Sequence, residues 1–600
     1  MKNQPLRPAT ILALISLETL LLAGILIASV NQYYPTIGMD YKYFVPRLID
    51  SFLHYQVNGF SIQWYTPSFG GGLPSFPNPQ QIQFSLPQFF TQFFDPYLAI
   101  LISIFTFVLI GITSSYYLFS NLFGFNHYAS LLSGILFLAN GFYFQHIGVG
   151  HLTFITLPLL PLLLVGMLRN RQPLLNGALI GLIFASMLHH GSFYLIVYFL
   201  LSASLSISLL YLVRAEAFNG LAILKNCLIG VLFTAALSAS KLTAVFHFLR
   251  FFPRHIEDQY QNTITQALIS IPYQLFGSMS LRPLGLVKGF PPKNIWDILM
   301  TLTGSELAFW ELDISITPLV WIIILFGVGL LAVRIIRGQV QLSRTHFVAL
   351  GVFLISLEIT IEFIISNGIF YPWLSQLPIL NSLHVNPRYT IALVYPLVIL
   401  AAATINFVFS DVLKNNYPHF VFFLAALGLA LIPLYFYFEM PMDKLGRRQF
   451  NVEGSQEIYR FAQAGETFPV QKVASDMNDA RVFDQFASNL NPYEVLFGYE
   501  LSQFKHQLVE GSPYLESDER FNFTDPTSLV FPQSTSSQPF DRFLTMEKSK
   551  LDGFLSRIQP NWKIPAIQQA AVWVSGIAIV ITVLVLAFYL IKNTFKEEFL

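Results

Sequence analysis

The chain has little of two things that soluble proteins usually carry, charge and cysteine. Only 11% of its 600 residues are charged, whereas 54% are hydrophobic; soluble domains carry about twice that charge fraction. Acidic and basic residues number 34 each, so no net charge of either sign would attract nucleic acid. Cys227 is the single cysteine, which excludes a disulfide within the chain. One soluble core cannot be built from this composition, and we expect the lipid bilayer to be part of the solvent.

Hydrophobic segments recur along the whole chain. A bilayer core takes roughly 20 apolar residues per helix, and this criterion predicts about twelve spans. The first is kept as a true span because no small-residue cleavage pattern follows it. The predicted spans lie near residues 9–30, 97–119, 127–144, 152–168, 173–190, 192–213, 221–245, 317–334, 346–366, 389–410, 419–438 and 568–590.

Basic residues in the short loops fall on one side of these spans, and the positive-inside rule makes that side cytoplasmic. Both ends of the chain then lie inside, and the large segments 31–96, 246–316, 367–388 and 439–567 lie outside. We therefore expect the protein to act on the outer face. The residues that set this orientation are Lys2, Arg7, Arg169, Arg171, Arg214, Arg334, Arg337, Arg344, Lys414, Lys592 and Lys596.

The expected fold is an all-α polytopic membrane protein with both termini inside. Residues 1–438 would form the membrane module, and 568–600 the last helix and a cytoplasmic tail. The turn-rich segment 439–567 is expected to be a small extracytoplasmic α/β or irregular domain. In the first outer loop, residues 43–53 carry apolar side chains at helical spacing and are expected to form a helix in the membrane interface.

The most informative residue is Asp40, which lies shortly beyond the first span. A carboxylate at this water boundary could meet a substrate carried on a lipid tail and remove a proton from an acceptor hydroxyl. An ordinary solvated loop acid is the alternative. The neighbouring aromatic residues Tyr41, Tyr43 and Phe44 suit the membrane interface on either interpretation.

Lys241, Arg250 and Arg254 form a basic group at the outer end of the seventh span. The phosphate of a polyprenyl-phosphate donor would lie at headgroup depth, where such cations could bind it. Arg388, at the start of the tenth span, lies at the same depth. Cationic side chains that only anchor helices in the interface give the same pattern. Lys241 is the strongest candidate of the four, because it lies inside its span, where charge is costly.

Acidic residues also occur within the predicted spans. Glu358 and Glu362 are spaced four apart and share one face of the ninth span, and Glu18 lies in the first. These acids could line a substrate cavity, pair with Lys241 or relay protons in a transporter.

Two histidines, His146 and His151, border the turn between the third and fourth spans. They could line a cavity that binds a sugar or a phosphate, or they could hold a metal ion. No third ligand stands nearby in the sequence, so a divalent metal has little support and no metal ligand is assigned.

The first outer loop contains Trp64 and Tyr65, which we expect to line the substrate cavity, followed by Gly70, Gly71 and Gly72. Three consecutive glycines allow backbone conformations that are closed to other residues, and they let the backbone approach a ligand closely. A tight turn between interfacial helices is the alternative interpretation.

The order of these motifs resembles the GT-C superfamily of membrane glycosyltransferases, and in particular its bacterial YfhO-like branch. The resemblance covers residues 10–410, and the segment 439–567 matches by position alone. The matching pieces are Asp40, Trp64 with Phe69-Gly70-Gly71-Gly72-Leu73-Pro74, Ala139-Asn140-Gly141-Phe142, His146, His151, and Leu377-Pro378 through Pro387-Arg388-Tyr389.

The resemblance implies a helical enzyme of the bacterial inner membrane with an outward-facing cavity. It further implies an inverting transfer of a sugar from a polyprenyl-phosphate-linked donor to a glycan, lipid or protein of the cell envelope, with Asp40 as the general base. No cofactor is certain. Three other functions stay open: an O-antigen-ligase-like transferase that relies on Arg and His groups, a lipid or polysaccharide transporter, and a noncatalytic envelope-assembly factor.

Overall fold

The computed structural model is predominantly helical. It describes residues 6–213, 219–250, 263–281, 309–339, 343–377, 380, 385–412, 416–437, 450–464, 469–475, 477–493, 508–531, 541–559 and 563–597. Its α-helices are α1 (Pro8–Val30), α2 (Tyr41–Asn58), α3 (Leu86–Phe90), α4 (Pro96–Tyr117), α5 (His127–Leu138), α6 (Gly141–Val149), α7 (Leu160–Leu168), α8 (Pro173–His189), α9 (Phe193–Val213), α10 (Gly220–Leu237), α11 (Ala239–Leu249), α12 (Ile264–Leu281), α13 (Phe309–Leu312), α14 (Pro318–Ile336), α15 (Arg344–Ile365), α16 (Tyr371–Leu374), α17 (Val394–Phe407), α18 (Asn416–Leu431), α19 (Val452–Gln463), α20 (Lys548–Leu555) and α21 (Ala566–Glu597).

Eight of the described helical segments are long and apolar enough to cross a membrane, and they make the chain an integral membrane protein. Four shorter apolar helices coincide with the remaining predicted spans, so the number of crossings and their orientation stay predictions. The eight are Pro8–Val30, Pro96–Leu122, Phe193–Val213, Gly220–Leu237, Pro318–Ile336, Arg344–Ile365, Asn386–Ser410 and Ala566–Lys592, and the shorter four are His127–Leu138, Leu152–Leu168, Pro173–His189 and His419–Tyr435.

Capping side chains fix where two of the helices begin. Asp95 accepts a hydrogen bond from the backbone N–H of Tyr97 at the start of α4, and Asn140 accepts one from Tyr143 at the start of α6. Helix α6 ends at Gly150, whose φ of 96° is left-handed and therefore suits glycine. These ends place the short helix α6 between two turns, directly beside the start of α2.

Short strands join distant parts of the chain. β1 (Thr36–Ile37) pairs antiparallel with β4 (Phe450–Asn451), which ties the first outer loop to the segment 439–567. As far as it is described, that segment combines short strands with α19 and α20. The other pairs are β2 (Tyr65–Thr66) with β3 (Leu73–Pro74), β5 (Lys472–Ala474) parallel to β6 (Ala487–Asn489), and an antiparallel sheet of β7 (Glu516–Ser517), β8 (Arg520–Thr524) and β9 (Arg542–Leu544).

Helix α2 is enclosed by protein. Every residue from Tyr43 to His54 is buried, so its apolar side chains pack against other parts of the chain, and the position of residues 43–53 in the membrane interface stays a prediction. The physical reason for the burial is a contact that the local pattern does not encode. The segment 439–567 covers this helix, and the ring of Phe52 lies 4.9 Å from that of Tyr459.

A buried ion pair holds the first outer loop to the same segment. Asp50 in α2 pairs with Arg557, which follows α20, and their side chains are 1% and 6% exposed. The Asp50 carboxylate also accepts hydrogen bonds of 2.6 Å from Ser68 and from Gln63. Loss of either partner would leave a buried charge uncompensated. The pair therefore fixes the segment 439–567 against α2.

Candidate functional site

A cavity of about 100 Å³ lies where the predicted outer loops meet the helix ends. Its walls combine a carboxylate, an imidazole and a guanidinium with aromatic and apolar side chains. Asp40, His151 and Arg388, three residues that the sequence singled out, all contribute to it. The lining residues are Asp40, Tyr43, Phe44, Gln80, His151, Thr153, Phe154, Tyr194, Val385 and Arg388.

Two glycines allow the turn before α2 to lie against the end of α6. A Cβ on Gly38 would lie 2.3 Å from a backbone carbonyl oxygen of α6, and a Cβ on Gly150 would lie 2.5 Å from the first backbone nitrogen of α2. The backbone N–H of Asp40 donates to the carbonyl oxygen of Val149 at 2.9 Å. This close approach brings Asp40 beside His151.

Asp40 occupies the N-cap position of α2, yet its carboxylate does not cap the helix, although capping is the ordinary structural role of aspartate there. Instead, Oδ2 lies 2.9 Å from Nε2 of His151, and Oδ1 accepts a 2.6 Å hydrogen bond from the hydroxyl of Tyr493. Burial alone would raise the pKa of Asp40, but the charge of His151 and the hydrogen bonds from His151 and Tyr493 outweigh it and lower the pKa. Asp40 is therefore an ionised carboxylate at neutral pH.

His146, on α6, is fully buried beside Glu311. Its Nδ1 lies 2.8 Å from the carbonyl oxygen of Phe142, which can only accept, so Nδ1 carries the proton. Burial lowers the pKa of His146 to about 4, which keeps the ring neutral at neutral pH and leaves a lone pair on Nε2. That lone pair faces Oε2 of Glu311 at 3.3 Å. The contact is therefore not an ion pair, and a cation between the two acceptors would satisfy both.

His151 presents a second nitrogen of the same kind. Its Nε2 donates to Asp40, so Nδ1 is the nitrogen that carries the lone pair when the ring is in its neutral form. Among the described residues, this buried Nδ1 has no hydrogen-bond partner. One ligand atom from each of His146, His151 and Glu311 lies within 4.8 Å of the others. Two imidazole nitrogens and a carboxylate oxygen are ligands that Zn²⁺ and related ions prefer, so these residues fit a divalent cation.

Arg388 forms a bidentate pair with Glu311, donating from Nε and from one terminal nitrogen to the two carboxylate oxygens. Burial would raise the pKa of Glu311, but the charge of Arg388 outweighs it and holds the pKa well below its usual range. A guanidinium has five N–H donors, and this pair does not use all of them. The guanidinium carbon lies 5.1 Å from the centre of the Phe154 ring, at the cavity wall. Arg388 is therefore placed to bind an anionic oxygen in the cavity.

Lys241 does not line this cavity. Its ammonium donates to the backbone carbonyl oxygens of Phe76 and Asn78 at 2.7 Å each and of Gln81 at 3.4 Å. A lysine ammonium has three donors, and the loop carbonyls take all of them. We therefore assign Lys241 a structural role in the first outer loop, in place of the phosphate-binding role that the sequence predicted.

Of the other two residues of that basic group, Arg250 follows α11 and its side chain is exposed. Arg254 lies outside the described residues. Of the three predicted phosphate-binding residues that the structure describes, Arg388 is the one that lines the cavity with Asp40.

Glu358 and Glu362 share helix α15 but have different surroundings, and neither lines the cavity. Glu358 is exposed on the helix surface. Glu362 is buried and accepts the backbone N–H groups of Ile369 and Phe370 at 2.6 Å and of Tyr371 at 2.8 Å. The predicted cavity role of both acids is thus corrected, because Glu362 holds the turn into α16 and Glu358 faces outward.

Trp64 and Tyr65 pack inside the first outer loop instead of lining the cavity. The ring of Trp64 lies edge-on to those of Phe76, at 5.4 Å, and Phe531, at 6.5 Å. Tyr65, in β2, is fully buried. The segment 439–567 covers this part of the loop and takes up the aromatic surface that a substrate was expected to contact.

Two residues of the site, Glu311 and Tyr493, were not predicted. Glu311 lies in the predicted outer segment 246–316 together with several other acidic residues, and Tyr493 lies in the turn-rich segment 439–567. Their contacts with His146 and Asp40 span 165 and 453 residues of chain. No local pattern in the sequence marks either residue.

No family model matches the chain, and a comparison with curated proteins finds no match. Among solved structures, the chain is similar to the crystal structure of the Archaeoglobus fulgidus oligosaccharyltransferase in the apo form, with a TM-score of 0.36 and 13% sequence identity. The similar region covers 81% of this chain and 65% of that enzyme, so the chain spans less than two thirds of its length. A likeness at this level says nothing about individual site residues, and the YfhO-like branch stays a prediction.

Proposed function

We propose that the protein is a membrane glycosyltransferase that moves a sugar from a polyprenyl-phosphate-linked donor to a glycan, lipid or protein acceptor. The observation that supports it is the cavity that the ionised carboxylate of Asp40 and the guanidinium of Arg388 line together, next to helices that cross the membrane. Transfer from a lipid phosphate needs a base for the incoming hydroxyl and a cation for the departing phosphate. Asp40 would supply the base, and Arg388 would supply the cation.

In the proposed reaction, Asp40 takes the proton of the acceptor hydroxyl while the hydroxyl oxygen attacks C1 of the sugar. The bond from C1 to the phosphate oxygen breaks, and the lipid phosphate leaves with the bonding electrons toward Arg388. Direct displacement inverts the configuration at C1 and needs no covalent intermediate. A divalent cation held by His146, His151 and Glu311 would add positive charge for the same phosphate.

The position of the cavity along the helices supports an outward-facing site. Thr153 and Val385, on its wall, precede α7 and α17 respectively, so they lie near the starts of these helices. Arg169 and Arg171 follow the other end of α7. The positive-inside rule assigns the arginine-bearing end to the cytoplasm, which supports placing the cavity on the outer side.

Transfer of radiolabelled sugar from a panel of polyprenyl-phosphate donors by the purified protein tests this function. Asp40→Asn keeps the size of the side chain but removes the base, so kcat should fall by roughly 10²–10⁴-fold at an unchanged thermal midpoint. Glu358→Gln is the matched control, since it neutralises an exposed acid away from the cavity, and it should keep wild-type turnover. Full activity in Asp40→Asn would refute the base, and absence of transfer by the wild type from every donor would refute the function. Removal of metal with EDTA and return of Mn²⁺ tests the cation site in the same assay.

The contact between Asp40 and His151 favours one alternative, in which His151 is the base. Its Nε2 is oriented by a carboxylate, and in the neutral form of the ring Nδ1 would take the proton, as in a His–Asp dyad. This arrangement suits the ligase-like function that relies on Arg and His groups. It predicts that His151→Asn abolishes transfer and that Asp40→Asn only reduces it, whereas Asp40 as the base predicts the opposite order.

The structure gives the transporter function less support than the sequence did. Transport would require the intramembrane acids and bases to meet along one path. Lys241 is bound by loop carbonyls, and Glu358 is exposed on α15. Within the part of the chain that the structure describes, neither carboxyl oxygen of the buried Glu18 has a hydrogen-bond partner.

A further inference from the structure

We infer that Tyr493 is a positioning residue for Asp40, so that the segment 439–567 takes part in the active site instead of only covering it. The inference rests on the proposed function. The hydroxyl of Tyr493 donates to Oδ1 of Asp40 at 2.6 Å, across 453 residues of chain. It is thus the contact by which the segment 439–567 reaches the proposed base.

The backbone of Tyr493 is fixed independently of this hydroxyl. Its N–H donates to Oδ2 of Asp479 at 3.0 Å, and its carbonyl oxygen accepts from Arg47 at 3.3 Å. The side chains of Arg47 and Asp479 also face each other at 3.6 Å and are only 7% and 2% exposed. Because these contacts involve backbone atoms of Tyr493, its hydroxyl can be removed without removing them.

One face of α2 holds both ends of Tyr493. Asp40 and Arg47 are seven residues apart, which is about two helical turns, so their side chains lie on the same side of the helix. Asp40 accepts the hydroxyl, and Arg47 holds the backbone carbonyl. The ammonium of Lys42 lies 4.6 Å from the centre of the Tyr493 ring. The tyrosine therefore lies along the first two turns of α2 in one defined orientation.

The hydroxyl keeps the Asp40 carboxylate directed at the cavity. An aspartate at an N-cap position would ordinarily rotate to accept backbone N–H groups of its own helix. Here Tyr493 holds Oδ1 and His151 holds Oδ2, so both oxygens are kept away from the α2 amides. Without the hydroxyl only His151 would hold the carboxylate, which could then turn back to cap the helix and lose its alignment with an acceptor.

Tyr493→Phe tests this role, with Tyr514→Phe as the matched control. The hydroxyl of Tyr514 donates to Asp552 at 2.6 Å, the same bond in the same segment, but in an exposed place away from the cavity. In the full-length enzyme, Tyr493→Phe should lower kcat by about 10- to 100-fold, since misplacement of a reacting group has effects of this size. The KM for the donor should stay within about two-fold, because Arg388 is untouched. Tyr514→Phe should change neither constant.

Thermal midpoints of the wild type, Tyr493→Phe, Asp40→Ala and the double variant test the contact without any turnover, because alanine removes the oxygen that accepts the hydroxyl. If the hydroxyl acts on Asp40, the double variant loses less than the two single losses combined. Additive losses would overturn the inference, as would a wild-type kcat in Tyr493→Phe when the wild type is active. A wild-type kcat in Tyr493→Phe would leave the proposed function standing, because the wild type would still transfer sugar. Absence of transfer by the wild type, together with coupled midpoints, would overturn the proposed function and the positioning role of Tyr493 in it, while confirming the contact.

Discussion

A methyl group added at Gly38 tests whether the close contact between α6 and the turn before α2 sets the activity. The Cβ of Gly38→Ala would lie 2.3 Å from the carbonyl oxygen of Gly148 and 2.6 and 2.8 Å from the backbone carbons of Val149. All three are backbone atoms, so no side chain can rotate away to make room. Ordinary van der Waals contact starts at 3.4 Å, and the two segments must therefore separate by about 1 Å.

That separation acts directly on the proposed base. Asp40 lies two residues beyond Gly38, and its N–H donates to Val149, so it moves with the turn. A displacement of about 1 Å in a reacting group costs roughly 100-fold in rate, which corresponds to about 2.7 kcal/mol of transition-state stabilisation. We therefore expect kcat for sugar transfer to fall about 100-fold in Gly38→Ala, with the fold retained.

Gly24→Ala is the matched control for this experiment, because a Cβ at Gly24 in α1 would meet no atom within 4 Å. It should leave kcat and the thermal midpoint at their wild-type values. The assay is transfer of radiolabelled sugar from a polyprenyl-phosphate donor, with the midpoint measured on the same preparations. Wild-type kcat in Gly38→Ala would refute the claim that this contact positions the catalytic carboxylate.

Two further predictions concern residues that the sequence predicted to bind substrate but that do not line the cavity. Glu362→Gln should lower the free energy of unfolding by about 2 kcal/mol, because an amide offers one carbonyl oxygen where the carboxylate accepts three backbone N–H groups with two. Glu358→Gln, one turn away on α15, should leave unfolding in detergent unchanged, and equal stability of the two variants would contradict the assignment. Lys241→Ala should cost about 3 kcal/mol or more, because the buried loop carbonyls lose a charged donor. The donor KM of the folded variant should stay at the wild-type value, whereas a raised KM at unchanged stability would restore the phosphate-binding role.

The residues of the cavity that could be predicted are those whose signal is local. Asp40 and His151 lie next to predicted spans, and hydropathy and charge alone predict their positions relative to the membrane. Their partners could not be predicted, because Glu311 and Tyr493 reach the site through contacts across 165 and 453 residues. Hydrophobic spacing likewise predicted a helix at α2, but it could not show which segment would cover that helix.

Lys241 and Arg388 show most clearly why the role of a charged residue could not be predicted from the sequence alone. Both are cations near the outer end of a predicted span, and the sequence favours Lys241 over Arg388 as the phosphate ligand. Within reach of Lys241 lie backbone carbonyls of the first outer loop, whereas Arg388 lies between Glu311 and the cavity. The acceptors that surround a cation decide whether it is structural or available to a ligand, and these acceptors are set by the tertiary fold.

The ion pair between Asp50 and Arg557 has a consequence for the order in which the protein is assembled. The two residues are 507 positions apart in the chain. At a synthesis rate of roughly 5–20 residues per second, Asp50 is made about 25–100 s before its partner. Delays of roughly 20–90 s likewise separate β1 from β4, and Asp40 from Tyr493. Throughout that interval the first outer loop lacks the segment that covers it. The cavity is therefore completed only when Tyr493 has been made, 453 residues after Asp40.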